Sequence, residues 1–217
     1  PSRYLVSPFL LLSTAAVIAT GSRGAWLGFA GMLTSLTLFN RKLLTAVLLI
    51  ILIAALIIAL NPYSYARFLS IFSLEKGGNM SRIYIWQASL KMIKDHPVFG
   101  LGLGVFPLAF PEYAVAEHSV DTFAYAHNLF LQIAVELGLV GGVLFFLALV
   151  SVYYMAFSLA KTGNSVYQGL FASLLGVLIH QQLDIPIWKM HIGLSFWILV
   201  GLVAGFYHLE KTKRKTQ

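Results

Sequence analysis

The sequence predicts an all-α integral membrane protein, and three observations support that fold class. The 217-residue chain is 59% hydrophobic and only 11% charged, with a mean hydropathy of +0.81, which is far more apolar than a soluble domain. Residues 43–60 form an uncharged run of 18 residues, about the length that crosses a bilayer core as a helix. Further apolar runs recur along the chain, and a helix lets such a run satisfy its backbone polar groups internally.

Six apolar segments are the expected transmembrane helices of one membrane domain, which comprises residues 1–217. They occupy residues 4–20, 25–39, 43–60, 129–158, 166–182 and 192–208. Their lengths predict about six spans. Gly201 and Gly205 form a GxxxG pattern in the last segment, which is typical of a helix-packing seam. Because the chain begins at Pro1 without an initiator methionine, we expect it to be the C-terminal part of a longer protein.

The basic residues predict the orientation, because cytoplasmic loops of membrane proteins carry an excess of lysine and arginine. One basic cluster at 40–42 joins two segments, and another at 211–215 follows the last segment. If both clusters are cytoplasmic, residues 61–125 form a large extracytoplasmic loop, with shorter outer connections at 20–24 and 182–190. The net charge of +7 is then mainly a topology signal, so we expect contacts with membrane lipids and no nucleic-acid partner.

One amphipathic helix is expected inside the loop, where the sequence "SRIYIWQASLKMIKDH" has helical periodicity. Ser81 is the expected N-cap, and Pro97 ends the helix. One stripe of this helix is apolar and is expected to lie on the membrane surface or against the spans. The stripe consists of Ile83, Trp86, Leu90 and Ile93. The "GLGLG" that follows lacks the lysine and the spacing of a phosphate-binding loop, and it predicts a turn.

Two arginines lie at predicted helix starts on the outer face. Arg23 precedes the helix that is expected to start near Ala25, and Arg82 lies in the first turn after Ser81. Backbone N–H groups and the positive end of the helix dipole favour an anion there, and the guanidinium fork matches phosphate oxygens. The alternative is an interfacial arginine that extends to lipid headgroups. Two such arginines on one face favour anion binding.

His127 is the candidate base. If a helix starts near Ala126, His127 lies in its first turn, where the helix dipole disfavours the imidazolium and keeps a neutral ring available. At about 100° per residue, Gly138 and Gly141 lie within about 40° of His127 around the helix. Glu136 lies about 180° away and is therefore not expected to be a partner. The glycines predict a seam on which another span packs closely; the alternative is an interfacial histidine with ordinary packing glycines.

Asp184 lies just after the fifth segment, close in sequence to His180, Lys189 and His191. An acid at this depth is costly unless it is paired or solvated, so it is expected to orient His127, to balance an arginine or to lie in water. His180 and Asp184 have an i, i+4 spacing, but a third convincing ligand is missing and the chain has no cysteine. We therefore expect neither a metal nor another cofactor.

At this point the residues resemble a known family, the O-antigen ligase and polymerase-like membrane proteins. The stretch "HNLFLQIAVELGLVG" follows the family's pattern of His-Asn, a nine-residue spacer and Gly-x-x-Gly. "TGSRGAWLGF" and "SRIYIWQASLKMIKDHPVFGLGLGVF" are similar to the family as well. The resemblance spans most of residues 20–142 in the family's order, and beyond residue 142 it consists mainly of hydropathy and the placement of Asp184.

The resemblance implies a metal-independent, inverting glycosyltransferase with its active site on the periplasmic face of the bacterial inner membrane. Such enzymes take a glycan from an undecaprenyl-diphosphate carrier and pass it to lipid A-core or to another lipid-linked glycan. On that model Arg23 and Arg82 hold the donor diphosphate, and His127 deprotonates or positions the acceptor hydroxyl. Asn128 and Asp184 are the further substrate-binding residues. Family members usually have more spans, which implies that donor-side helices precede Pro1.

Three other functions stay open. A polymerase of surface-polysaccharide repeat units would have the same motifs, since these motifs do not identify the acceptor. A polyprenyl-glycan transporter also binds a diphosphate, but it needs a polar path, and segments 25–39 and 43–60 are nearly all apolar. A purely structural membrane subunit predicts that changes at His127 or at the arginines leave activity unaffected.

Overall fold

The computed structural model describes residues 3–73, 79–114, 125–185, 187 and 190–216. Over these residues the chain is helical and contains no β-strand. A short 3₁₀ turn, Arg41–Leu43, precedes α3. The helices in chain order are α1 (Arg3–Ala19), α2 (Arg23–Leu36), α3 (Leu44–Leu60), α4 (Pro62–Leu69), α5 (Asn79–Asp95), α6 (Phe106–Tyr113), α7 (Leu129–Ala160), α8 (Ser165–His180) and α9 (Met190–Lys215).

A helix occurs at each predicted span, and the prediction of an all-α membrane protein is confirmed. Three stretches are long and apolar enough to cross a membrane, namely Arg41–Leu60, Leu129–Ala160 and Gly193–Lys215. Leu10–Ala19 and Ser165–His180 are shorter apolar helices. Helix α2 has 14 residues, about 21 Å at 1.5 Å per residue, which is less than the thickness of a bilayer core. The number of about six spans therefore stays a prediction.

Helices α2 and α8 pack closely because glycines remove the side chains between them. A Cβ atom at Gly28 would lie 2.6 Å from the carbonyl oxygen of Gly176, and one at Gly24 would lie 2.7 Å from His180 Cδ2. This seam places the start of α2 beside the end of α8. The GxxxG seam predicted in the last segment is not observed in the described structure, because a Cβ at Gly201 or at Gly205 has no neighbour within 4 Å.

Helix α7 is kinked at Gly138, where φ is 63° and ψ is −162°. The kink releases two N–H groups from the helix, and these donate to the chain that follows α5. Leu139 N–H donates to the Pro97 carbonyl at 2.8 Å, and Val140 N–H donates to the Val98 carbonyl at 3.1 Å. The prediction that this glycine lies in a seam for another span is therefore wrong, since the glycine faces the 97–102 segment instead.

The same 97–102 segment also donates hydrogen bonds to α7. Leu101 N–H and Gly102 N–H reach the carbonyls of Val135 and Glu136, each at 2.9 Å. Gly100 has a φ of 69°, and a Cβ atom there would lie 2.6 Å from the Glu136 carbonyl oxygen. The glycine-rich turn was predicted, but its close fit to α7 was not. We call this four-bond contact between residues 97–102 and α7 the loop clamp.

Helix α5 packs against α6 and α7 through a face that differs from the predicted stripe. Its buried side chains include Ile85 and Met92, whereas Leu90 of the predicted apolar stripe is 58% exposed. The helix begins at Asn79, so Ser81 lies inside its first turn and is not the N-cap. Helix α5 thereby places its first turn beside the start of α2.

Candidate functional site

Arg23 lies in the first turn of α2. Ser22 is the N-cap, and its side chain accepts a hydrogen bond from Ala25 N–H at 3.3 Å. The helix therefore starts two residues earlier than predicted, which puts the arginine inside the first turn. Arg23 is only 8% exposed, and its Nη1 donates to the Ser70 carbonyl at 3.2 Å. The guanidinium is thus a buried cation at a helix N-terminus.

Arg82 lies in the first turn of α5 and shares a cavity of about 330 Å³ with Arg23. The Nε atom of Arg82 is buried and has no hydrogen-bond partner among the described residues. A buried donor without a partner is costly, and an anion in the cavity would provide an acceptor. The other lining residues include Leu27, Ile71, Asn79 and Leu183.

A third arginine, Arg67 of α4, lies beside these two and was missed from the sequence. Its Nε donates to the Gly21 carbonyl at 3.2 Å, which ties α4 to the turn before α2. Burial lowers the pKa of Arg23, and the charges of Arg82 and Arg67 lower it further. Burial also lowers the pKa of Arg82, an effect that Asp184 opposes and Arg67 strengthens. The three cations repel one another, so the cluster favours an anionic ligand.

A local signal for α4 was present in the sequence. Asn61 caps the helix by accepting from Ser64 N–H at 2.9 Å, and Pro62 occupies the first helical position. An Asn-Pro pair is typical of such a helix start. This signal predicts the helix, but the proximity of Arg67 to the other arginines depends on how α4 folds over the start of α2.

His127 lies just before α7 and not in its first turn. Asn128 is the N-cap and Leu129 is the first helical residue, so the predicted dipole effect on a first-turn ring does not apply. His127 has a φ of 53°, in the left-handed region. Its Nδ1 lies 3.3 Å from Asp184 Oδ1, and the ring centroid lies 4.7 Å from that of Tyr125. The imidazole is thus partly buried between a carboxylate and an aromatic ring.

Asn128 joins the start of α7 to the end of α8. Its Oδ1 accepts from Leu131 N–H at 3.1 Å, and its Nδ2 donates to the Gln182 carbonyl at 3.3 Å. In addition, Leu129 N–H donates to the Gln181 carbonyl at 2.9 Å. These contacts give Asn128 a structural role at the helix start, and its predicted role in substrate binding stays a prediction.

A buried polar chain runs from α7 to the residue before His127. Ala126 N–H donates to Gln132 Oε1 at 2.7 Å, and Gln132 Nε2 donates to Glu136 Oε1 at 2.8 Å. Gln132 is 0% exposed and Glu136 is 1% exposed. No contact between Glu136 and the imidazole is among those described, and its exclusion as a partner stays a prediction. It nevertheless reaches the neighbouring backbone through Gln132, which the sequence did not predict.

Ala126 is also held from the opposite side. Trp86 Nε1 donates to the Ala126 carbonyl at 3.0 Å. The backbone N–H groups of Gly104 and Phe106 lie beside the Glu136 carboxyl group. The middle of α5 and the first turns of α7 therefore meet at Ala126, which directly precedes the candidate base, and the loop before α6 adjoins them at Glu136.

Asp184 connects the histidine to the arginine cavity. Its side chain is 26% exposed and that of His127 is 24% exposed, so solvent reaches both. Leu183, the residue before Asp184, lines the cavity with Arg82. The described residues contain no group of three metal-ligating side chains, and the side chains of Lys189 and His191 lie outside the described part. Metal independence stays a prediction.

An apolar groove adjoins the arginine cavity. It has a volume of about 260 Å³, it runs between α1, α2, α3 and α4, and its lining is almost wholly aliphatic and aromatic. Arg23, Leu27 and Ile71 line both the groove and the cavity. The two spaces therefore meet at a buried guanidinium, an arrangement that suits an amphiphile with an anionic head and an apolar chain.

The sequence model of the O-antigen ligase family matches residues 8–146. The matched region contains the three arginines and His127, whereas Asp184 lies beyond it. Comparisons with curated proteins and with solved structures found no match.

Proposed function

Because this chain belongs to the O-antigen ligase family, we propose that it transfers a glycan from an undecaprenyl-diphosphate carrier to lipid A-core on the periplasmic face of the inner membrane. The family and the apolar helices make it a membrane protein of polysaccharide biosynthesis. One observation carries the proposal: Arg23 and Arg82 line one cavity that adjoins an apolar groove, and Leu183 in the same lining directly precedes Asp184, which contacts His127.

The proposed donor joins a doubly negative diphosphate to a long apolar chain. Arg23 and Arg82 bind the diphosphate, assisted by N–H groups at the starts of α2 and α5. Arg67 adds a third positive charge nearby. The polyprenyl chain enters the apolar groove, whose lining includes Ile50 and Ile51 of α3. In this proposal the anomeric carbon of the glycan faces His127.

The proposed reaction is a single displacement. The carboxylate of Asp184 next to His127 Nδ1 favours a proton on that nitrogen and leaves Nε2 to accept one. Nε2 takes the proton of the acceptor hydroxyl while its oxygen forms a bond to the anomeric carbon. The bond from that carbon to the diphosphate oxygen breaks, and undecaprenyl diphosphate leaves with the electron pair. Attack opposite the leaving group inverts the anomeric configuration, and the arginines stabilise the developing charge.

The main alternative is a polymerase of surface-polysaccharide repeat units. It requires the same donor site and the same base, and it differs in its acceptor, which is a second lipid-linked glycan. A polyprenyl-glycan transporter has no use for a base beside the diphosphate cavity.

The test uses the full-length protein in liposomes with a lipid-linked glycan donor, with chelator and without nucleotide. Lipid A-core and a second lipid-linked glycan are offered as separate acceptors. We expect transfer to lipid A-core and its loss in His127→Ala and in Arg82→Ala at normal membrane levels. Lys161→Ala, at the other end of α7, is the control and should transfer normally. Normal transfer by either site variant refutes the mechanism, transfer to the second acceptor alone supports the polymerase, and unconsumed donor that crosses the bilayer supports the transporter.

A further inference from the structure

The backbone of His127 is held in an unfavourable conformation. Among the described residues it is the one non-glycine residue with a positive φ, at 53°. This conformation raises the free energy of an L-residue and persists only where the surrounding structure stabilises it. Such residues concentrate at functional sites. The interactions that hold the residue are therefore part of how the imidazole is placed.

We infer that Gln132 and Glu136 are positioning residues that hold His127 in the orientation from which it accepts the acceptor proton. That the proton comes from an acceptor hydroxyl rests on the proposed function. The placement of the imidazole rests on the hydrogen bonds of Gln132 and Glu136. Gln132 accepts from Ala126 N–H at 2.7 Å, which is the peptide immediately before His127. Glu136 accepts from Gln132 at 2.8 Å.

Glu136 sets the direction of the Gln132 amide. A glutamine side chain presents an oxygen on one side and an NH₂ group on the other. The carboxyl oxygen of Glu136 requires the NH₂ group, so the amide oxygen points to Ala126. The loop N–H groups of Gly104 and Phe106 lie beside the carboxyl group of Glu136.

Burying this polar pair costs stability, which indicates that the pair has a role beyond packing. Gln132 and Glu136 are 0% and 1% exposed, and buried polar groups lower stability unless they are fully hydrogen-bonded. Leucine at both positions would fill similar space without that cost. The hydrogen bonds of the pair lead from Glu136 through Gln132 to the peptide that precedes the candidate base. We therefore attribute to this pair the role of fixing the position of His127.

Breaking the hydrogen bonds that join Ala126, Gln132 and Glu136 is expected to affect the chemical step more than donor binding. When Ala126 N–H loses its acceptor, the backbone at residue 127 is free to relax toward negative φ. The imidazole then leaves its 3.3 Å contact with Asp184. Neither Gln132 nor Glu136 lines the arginine cavity, so the donor site keeps its own residues.

The test compares Gln132→Leu and Glu136→Leu with the conservative Glu136→Gln in full-length protein in liposomes. Glu136 Oε2 has no hydrogen-bond partner among the described residues, so an amide NH₂ in its place leaves the bond to Gln132 intact. We expect both leucine variants to lower kcat on the order of 10-fold to 100-fold, with the donor KM within about twofold. Glu136→Gln should recover most of the rate that Glu136→Leu loses.

A double variant distinguishes a positioning role from a general structural one. If Gln132 acts through the imidazole, Gln132→Leu has no further effect on the residual transfer of His127→Ala. An equal loss with and without His127 overturns the inference, as does a Gln132→Leu variant whose kcat is unchanged.

A second measurement does not depend on transfer at all. The rate at which diethyl pyrocarbonate modifies His127 is read by mass spectrometry, with the exposed His96 and His208 as internal references. Gln132→Leu should change the modification rate of His127 alone, by more than about threefold. If that rate is unchanged, the positioning inference is wrong even where transfer occurs. If the rate changes while wild-type protein transfers nothing, the proposed function fails and the positioning stands.

Discussion

Replacing Gly138 with alanine is expected to break the kink in α7 and to release the loop clamp. The backbone at Gly138, with φ 63° and ψ −162°, lies in a region that is essentially restricted to glycine. A Cβ atom there would overlap the Val98 carbonyl oxygen and lie 2.5 Å from Gly100 N. Both neighbours are backbone atoms of the clamp, so neither can move without losing its hydrogen bonds.

The magnitude follows from two contributions. A side chain in this conformation costs about 1–3 kcal/mol. The two hydrogen bonds from Leu139 and Val140 to the 97–102 segment contribute about 0.5–1.5 kcal/mol each, and alanine at 138 displaces both acceptors. The free energy of unfolding should therefore fall by about 2–6 kcal/mol, a large share of the roughly 5–15 kcal/mol that stabilises a typical domain.

The assay is thermal unfolding in detergent micelles, followed by tryptophan fluorescence, with Gly142→Ala as the matched control. Gly142 lies about one turn further along α7, and a Cβ atom there has no neighbour within 4 Å. Alanine at 142 should leave stability unchanged or raise it by up to about 1 kcal/mol, because alanine favours the helix. The reasoning is refuted if the unfolding midpoints of the two variants coincide.

Three further predictions concern the site and its support. Arg67→Ala should weaken binding of the lipid-linked donor on the order of tenfold, about 1.4 kcal/mol, as measured by titration. The control Arg41→Ala, at the far end of α3, should bind the donor normally. Equal affinities of the two variants would count against a role for Arg67. Gly28→Ala should lower the unfolding midpoint, because a Cβ at position 28 would lie 2.6 Å from a backbone oxygen of α8. The control Gly201→Ala should leave the midpoint unchanged, because a Cβ at position 201 has no neighbour within 4 Å. Asp184→Asn should lower kcat on the order of 10-fold to 100-fold at unchanged protein level; full activity would show that the carboxylate charge is not needed.

The helices were predictable because the signals that form them are local. An apolar run needs only its own backbone hydrogen bonds to become a helix, so the long segments 43–60, 129–158 and 192–208 appear as α3, α7 and α9. The short helix α4 also has a local start signal in Asn61 and Pro62, which hydropathy does not detect. Helix α6 and the buried face of α5 depend on neighbours that are distant in the chain.

The donor half of the candidate site was partly readable from the sequence. Arg23 and Arg82 stand at helix starts, and that position depends on a few adjacent residues. Their common cavity and the third charge of Arg67 required the packing of α4 and α5 around the start of α2. Electrostatic proximity between residues separated by more than forty positions has no local signature.

Local sequence patterns were enough to identify a helical membrane protein, its family and the residue types that are candidates for anion binding and proton transfer. The way in which His127 is held follows from tertiary contacts that no local pattern encodes. Its helix starts three residues later than predicted, and the N–H group of the preceding residue, Ala126, donates to Gln132, which in turn donates to Glu136. Periodicity describes residues within one regular helix, whereas the kink at Gly138 and the bonds to Ala126 depend on partners elsewhere in the chain.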